Sequence, residues 1–80
     1  MSFMFEVYYQ SPTDPEKEEG ITEMISRLGG SLTFREPPDR SGKDAVCLTY
    51  EFDELRSATD AADSLRQRGE HVEGPVSYGA

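Results

Sequence analysis

The sequence predicts an α+β fold in which four strands form an antiparallel sheet and two helices cover one face of it. Three observations predict this fold: alternating apolar side chains in four segments, helical spacing of apolar residues in two others, and turn residues between them. The resulting order, β-α-β-β-α-β, is that of the ferredoxin-like fold. We therefore expect a single domain over residues 1–80, with strand order 4-1-3-2.

The first half of the chain predicts a strand, a helix and a second strand. Phe3–Gln10 alternates apolar and polar residues, and Ser11–Pro15 interrupts it. Thr13 or Asp14 is expected to cap the helix, and Gly29 with Gly30 is expected to end it. The apolar stripe of this helix is Ile21, Met24, Ile25 and Leu28.

The second strand and the loop after it come next. Ser31–Glu36 alternates as a strand, with Leu32 and Phe34 expected to point towards the helices. Pro37–Asp44 has the composition of a loop because proline, glycine and aspartate dominate it.

The last part of the chain predicts a strand, a helix and an edge strand. Ala45–Phe52 has the clearest alternation in the chain, and Asp53 is expected to cap the helix that follows. Glu70–Tyr78 is predicted to be a strand. Pro75 removes one ladder hydrogen bond, so this strand is expected at a sheet edge. The apolar stripe of the second helix is Leu55, Ala58, Ala62 and Leu65.

These patterns together predict the hydrophobic core. Its expected members are Phe3, Phe5, Val7, Ile21, Met24, Ile25, Leu28, Leu32, Phe34, Val46, Leu48, Tyr50, Leu55, Ala58, Ala62, Leu65, Val72 and Val76.

Charge and composition exclude several classes of function. The chain has 16 acidic and 8 basic residues, for a formal net charge of -8. Nucleic acids and anionic membranes are bound through lysine and arginine, so we expect neither as a partner. No apolar run is long enough to span a bilayer and the N-terminus lacks a basic leader, so the cytoplasm is the expected location. Cys47 is the only cysteine, which rules out an internal disulfide.

Two segments of the sequence resemble families that share the predicted topology. Lys43–Tyr50 resembles the third strand of an RNA-binding family in its basic start and its ending. Ala45 and Cys47 stand at the positions where that family places base-stacking aromatic rings, which argues against RNA binding. Gly20–Leu32 is similar to the first helix and second strand of amino-acid-binding ACT domains, a resemblance that implies the same topology but assigns no site residue here.

The sheet face without helices is the expected site of contact with other molecules. We expect it to carry Met4, Glu6, Tyr8, Thr33, Arg35, Cys47, Thr49, Glu51, His71, Glu73 and Ser77.

Cys47, His71 and Glu73 are the candidates for chemistry on this face. Cys47 would need a neighbour that lowers its pKa to act as a nucleophile, and we expect it to be inert. His71 and Glu73 lie two residues apart on one strand, but two ligands are too few for a metal site. We therefore expect no catalytic residue, no metal and no cofactor.

The loop over residues 37–44 offers a second candidate surface. Arg35, Arg40 and Lys43 gather around it in a chain that is otherwise acidic. A carboxylate of a partner or a phosphorylated ligand is a candidate for binding there, and a solvated turn is the alternative.

The sequence therefore favours a small non-enzymatic interaction or regulatory domain. Its contact surface is expected to be the helix-free face, the edge strand or the basic loop, with a protein partner or a homodimer as the expected complex. The alternative is a domain that binds a small molecule of amino-acid or nucleotide type. An enzyme with its site at a dimer seam ranks last. The candidate binding residues are Glu6, Tyr8, Arg35, Arg40, Lys43, Cys47, His71 and Glu73.

Overall fold

The computed structural model describes residues 1–38 and 45–78 and shows the predicted order of elements. The strands make one antiparallel sheet in the order β2-β3-β1-β4, which is the predicted order read from the other edge. The predicted fold class is confirmed. The elements are β1 (Ser2–Gln10), α1 (Pro15–Arg27), β2 (Gly30–Glu36), β3 (Ala45–Phe52), α2 (Leu55–Gln67) and β4 (His71–Tyr78).

The helix ends follow local chemistry, with one exception. Asp14 caps α1, and its Oδ1 accepts a hydrogen bond from the backbone N of Lys17 at 3.1 Å. The predicted cap of α2 at Asp53 is wrong, because the N-cap residue is Glu54 and its side chain makes no capping bond. Gly69 follows α2 with φ at +91°, a conformation that glycine adopts without strain.

Both helices pack on the same face of the sheet. Ile21 and Ile25 of α1 and Leu65 of α2 join a single buried cluster with side chains from β1, β3 and β4. The strand residues of this cluster alternate along each strand, so they all lie on one face. The opposite face of the described sheet, which we call the open face, carries no helix. The strand members of the cluster are Phe5, Val7, Tyr9, Val46, Leu48, Tyr50, Phe52 and Val72.

A β-bulge in β2 reverses the alternation of this edge strand. Leu32 pairs with Tyr50, but the next pair joins Phe34 to Thr49, so Thr33 is an extra residue on β2. Because Thr49 lies on the open face, Phe34 also lies there, while the residue after it returns to the helix side. The prediction that Phe34 belongs to the core is therefore wrong, and its side chain is 58% exposed.

A second irregularity has the same effect on β4, at the other edge. Glu73 pairs with Glu6 and Val76 pairs with Met4, so Gly74 and Pro75 together face one residue of β1. The extra residue moves Val76 to the open face and corrects its predicted place in the core. Gly74 has φ at +108°, and α2 supports this segment because Arg66 Nη2 donates to the Gly74 carbonyl at 2.7 Å.

Three further residues of the predicted core are exposed because they lie at the margins of the helix layer. Leu28 is the C-cap residue of α1, and Leu55 is the first residue of α2. Leu32 lies on the edge strand β2. Phe3 and Met24 are partly buried against the core, whereas Tyr9, Phe52 and Ala61 are buried although the predicted core omitted them.

Neither α1 nor α2, the helices of the described residues, is long and apolar enough to cross a bilayer.

We expect a methyl group at Gly30 to destabilise the fold and one at Gly20 to stabilise it. A Cβ at Gly30 would lie 2.5 Å from Phe52 Cζ and 2.6 Å from Ile25 Cγ2, inside the packed core. Gly30→Ala should lower the free energy of unfolding by about 1–3 kcal/mol. Gly20 lies within α1 with open space around its Cα, so Gly20→Ala should raise the free energy by about 0.5–1 kcal/mol. Urea denaturation measures both, and a Gly30→Ala protein as stable as the unmodified one would contradict the packing described.

Candidate functional site

The open face consists of three rows of side chains that cross all four strands. Residues paired across neighbouring strands lie on the same face, so the register defines each row. From β4 to β2, the first row is His71, Tyr8, Cys47 and Glu36, the second is Glu73, Glu6, Thr49 and Phe34, and the third is Val76, Met4, Glu51 and Ser31.

Four large apolar side chains lie on this face, and we call them the apolar patch: Met4, Phe34, Val76 and Tyr78. Phe34 is 58% exposed, Val76 51% and Tyr78 49%, while Met4 is half-buried. Tyr78 pairs with Ser2 beyond the third row. Three of the most exposed large apolar residues of the described chain thus meet on one surface.

A shallow groove connects the members of the patch. It has a volume of about 560 Å³ and runs from β4 to β2. Its lining combines the apolar patch with the polar side chains of Glu6, Thr33, Thr49 and Glu73. The groove therefore offers apolar walls and carboxylates to the same occupant.

Each row of the open face contains at least one glutamate, and we call Glu6, Glu36, Glu51 and Glu73 the glutamate set. Glu6 and Glu73 are directly paired across β1 and β4, an arrangement that places like charges opposite each other. The ion pairs between described residues use Glu18, Glu23, Asp63 and Glu70 and none of the glutamate set. No arginine or lysine appears in the three rows.

Cys47 is buried although no helix covers it. It lies in a central strand between Tyr8 and Glu36, and only 6% of it is exposed. Its Sγ donates a hydrogen bond to Glu6 Oε2 at 3.4 Å. Burial raises the pKa of the Cys47 thiol, the interaction with Tyr8 lowers it in part, and the Glu6 carboxylate raises it again. The net pKa is raised, so little thiolate forms near neutral pH.

Tyr8 and His71 make the other notable contact on this face. Their rings meet edge to face with centroids 5.8 Å apart. Burial raises the pKa of the Tyr8 hydroxyl, and the neighbouring Cys47 adds to the rise. Within the described ranges, no group of three or more histidine, cysteine, aspartate or glutamate side chains is placed to hold a metal ion.

Arg35 does not lie on the open face, which corrects its predicted placement. The bulge of β2 turns it to the helix side, where its Nε and Nη2 donate to the two carboxylate oxygens of Glu18 at 2.6 and 3.0 Å. The Tyr9 hydroxyl also donates to Glu18 and accepts from the backbone N of Asp14 at 3.0 Å. Arg35 therefore ties β2 to α1.

The structure brings five of the eight candidate residues together on the open face: Glu6, Tyr8, Cys47, His71 and Glu73. Arg40 and Lys43 lie outside the described residues. Ser77, which was also expected on this face, pairs with Phe3 and lies on the helix side. The apolar patch residues Phe34, Val76 and Tyr78 were missed. The Gly74-Pro75 pair is the one signal in the sequence that indicates a bulge near them.

Known proteins give no further guidance on this site. No protein-family model matches the chain, and searches of curated proteins and of solved structures found no match.

We expect Glu18→Gln to destabilise the protein near neutral pH and to matter less in acid. The Arg35 guanidinium holds the pKa of the Glu18 carboxyl below its usual value. The carboxylate therefore contributes stability above about pH 4.3, which is lost as the pH falls through the lower pKa of the folded state. The variant should lose about 1 kcal/mol at pH 7, measured by urea denaturation, and the difference should shrink below about pH 4.

Glu23→Gln is the matched control for this prediction. Glu23 pairs with Arg27 at 2.6 Å on the exposed surface of α1. Its removal should change the free energy of unfolding by less than about 0.5 kcal/mol. A difference between the Glu18 variant and the unmodified protein that stays constant from neutral to strongly acidic pH would contradict the role of the ion pair.

We expect Cys47 to react slowly with a disulfide reagent in the folded protein. Burial and the raised pKa both reduce the supply of thiolate, so the rate at pH 7 should be at least about tenfold below that of the denatured chain. The rate should climb with pH as the thiolate fraction rises, and Glu6→Gln should accelerate it at fixed pH. Equal rates in the folded and denatured protein would show that the thiol is accessible and ionised.

Proposed function

We propose that this protein is a non-enzymatic interaction or regulatory module that binds a protein through the apolar patch of its open face. The observation that carries the proposal is the convergence of Phe34, Val76 and Tyr78, each about half exposed, beside Met4 on one groove. Large exposed apolar patches mark contact surfaces because water covers them at a cost. Completing the burial of such side chains is worth roughly 1 kcal/mol each.

The sheet edges support this choice of surface. A strand from another protein could extend the sheet only at β2 or β4. β2 is bulged at Thr33, and β4 is bulged and contains Pro75, which lacks an N–H donor. Bulges and edge prolines discourage strand addition, so the open face is the better surface for a partner.

The chemistry of the open face argues against an enzyme. A nucleophilic cysteine needs an ionised thiol, whereas burial and Glu6 raise the pKa of Cys47 and outweigh the opposite effects of Tyr8 and Thr49. His71 contacts the ring of Tyr8 rather than the thiol. The side chains available on this face thus lack a pair arranged for nucleophilic or acid–base work.

A nucleic acid or a small molecule fits the open face less well than a protein does. The glutamate set would repel a phosphate backbone, which proteins bind through lysine and arginine. The groove spans the sheet from edge to edge. Sites for small ligands are enclosed and bury most of the ligand surface, which a groove open along its length does not.

We expect Val76→Ser and Phe34→Ser to weaken partner binding while leaving the fold intact. Both side chains are at least half exposed, so their loss should hardly change the free energy of unfolding. Leu55→Ser is the matched control, because Leu55 is also 51% exposed but lies on α2, on the other side of the sheet.

The measurement is affinity purification from an extract of the source cells with all three variants and the unmodified protein, followed by titration of the purified partner. A true partner should be retained by Leu55→Ser and bound at least about tenfold more weakly by the open-face variants. Light scattering on the same samples tests for self-association. Retention of every partner by Phe34→Ser, with no change in oligomeric state, would overturn the proposal.

A further inference from the structure

The open face carries both apolar and acidic side chains, so an occupant must meet both. The second row joins Glu73 and Glu6 to Thr49 and Phe34, and the third places Met4 and Val76 beside Glu51. An occupant that covers the apolar patch must therefore also lie over carboxylates. Covering these carboxylates without a positive charge removes them from water at a cost of several kcal/mol per ion in a fully buried setting.

We infer that the polypeptide bound by the open face is a cationic segment that carries large apolar side chains, rather than a second copy of this chain. This inference rests on the function proposed above and adds the chemistry of the partner. Lysine or arginine in the segment would neutralise the glutamate set, while its apolar side chains would enter the groove beside Phe34 and Val76. Such complementarity directs the choice of partner and speeds encounter.

A second copy of the chain would bring negative charges to the open face instead of positive ones. Face-to-face pairing of two open faces would bring together the four glutamates of each copy, with no arginine or lysine in the three rows to separate them. The chain as a whole has a net charge of -8, so the long-range field also opposes self-association. The apolar patch alone favours a dimer, and the charges around it select against one.

The groove sets the direction of this segment, because it crosses the strands from Val76 on β4 to Phe34 on β2, with Glu6 on β1 between them. Neighbouring strands lie about 4.8 Å apart, so three spacings separate the two apolar side chains by about 14 Å, a distance that four or five residues of an extended chain span. A segment with an apolar residue near each end and a basic residue between them would therefore place each beside its complement.

The experiment is a selection from a library of short random peptides displayed on phage. The unmodified protein is the bait, and the double variant Phe34→Ser, Val76→Ser is used to remove peptides that bind elsewhere. Circular dichroism and thermal melting establish that the double variant is folded. The composition of the peptides that discriminate between the two proteins then reports the chemistry that the open face prefers.

The expected result is a set of peptides enriched in lysine and arginine next to aromatic or large aliphatic residues. Their affinity should fall as the salt concentration rises, because exposed charge pairs are screened. The double variant Glu6→Gln, Glu73→Gln should bind them about tenfold more weakly. Glu16→Gln with Glu19→Gln, the same change of charge on α1, should have little effect.

Two other results would overturn the inference, and they differ in what they imply. Discriminating peptides that are neutral or acidic, or a dimer that the Phe34→Ser, Val76→Ser variant dissociates, would refute a cationic partner while leaving the interaction module in place. A selection that yields no discriminating peptide, together with a monomeric protein at high concentration, would count against both the partner and the proposed function.

Discussion

The surface of this protein depends on one geometric constraint, a bulge in each of its two edge strands. Side chains of a regular strand alternate between faces, and one extra residue reverses the alternation beyond it. In β2 the extra residue sends Phe34 to the open face and Arg35 to the helices, and in β4 it sends Val76 to the open face. Without the bulges, both apolar side chains would belong to the core side, and the open face would be almost entirely polar.

The central strands β1 and β3 form a regular frame, and the two bulged edge strands pair with it. β1 and β3 pair without interruption from Phe3 with Phe52 to Gln10 with Ala45, and their inward side chains form half of the buried cluster. The rings of Phe5 and Phe52 stack with centroids 5.5 Å apart. Because the frame is regular, the bulged edges bring their apolar residues to fixed positions relative to Met4 and Glu6.

Alternation in the sequence predicts the faces of the central strands β1 and β3 correctly. It fails in the edge strands β2 and β4, where a bulge reverses the alternation. The order of six periodic segments was sufficient for the fold class and the strand order. Alternation in Phe3–Gln10 and Ala45–Phe52 was sufficient for the open-face positions of Glu6, Tyr8 and Cys47, because a central strand has neighbours on both sides that enforce its register. The edge strands have one neighbour each and tolerate an extra residue.

The bulges of β2 and β4 differ in whether the sequence indicates them. Gly74-Pro75 is a recognisable bulge signal, since proline lacks a donor and glycine allows a positive φ. Nothing in Ser31–Glu36 indicates a bulge at Thr33. The exposure of Phe34 and the position of Arg35 on the helix side could therefore not be predicted from the sequence. The ion pair of Arg35 with Glu18 likewise depends on a contact between β2 and α1, which alternation alone cannot reveal.

The placement of charge shows how a small domain can leave an apolar patch uncovered. Near the helices, carboxylates such as Glu18 and Glu70 are paired with Arg35 and Lys17, so they help to hold elements together. On the open face the glutamates have no such partners among the described residues, and they lie between the apolar side chains. Like charges spaced across a sheet oppose the pairing of identical faces, and exposed apolar patches without such charges are liable to aggregate. The glutamate set therefore opposes face-to-face pairing of identical copies, and under the inference drawn above the same charges favour a partner of opposite sign.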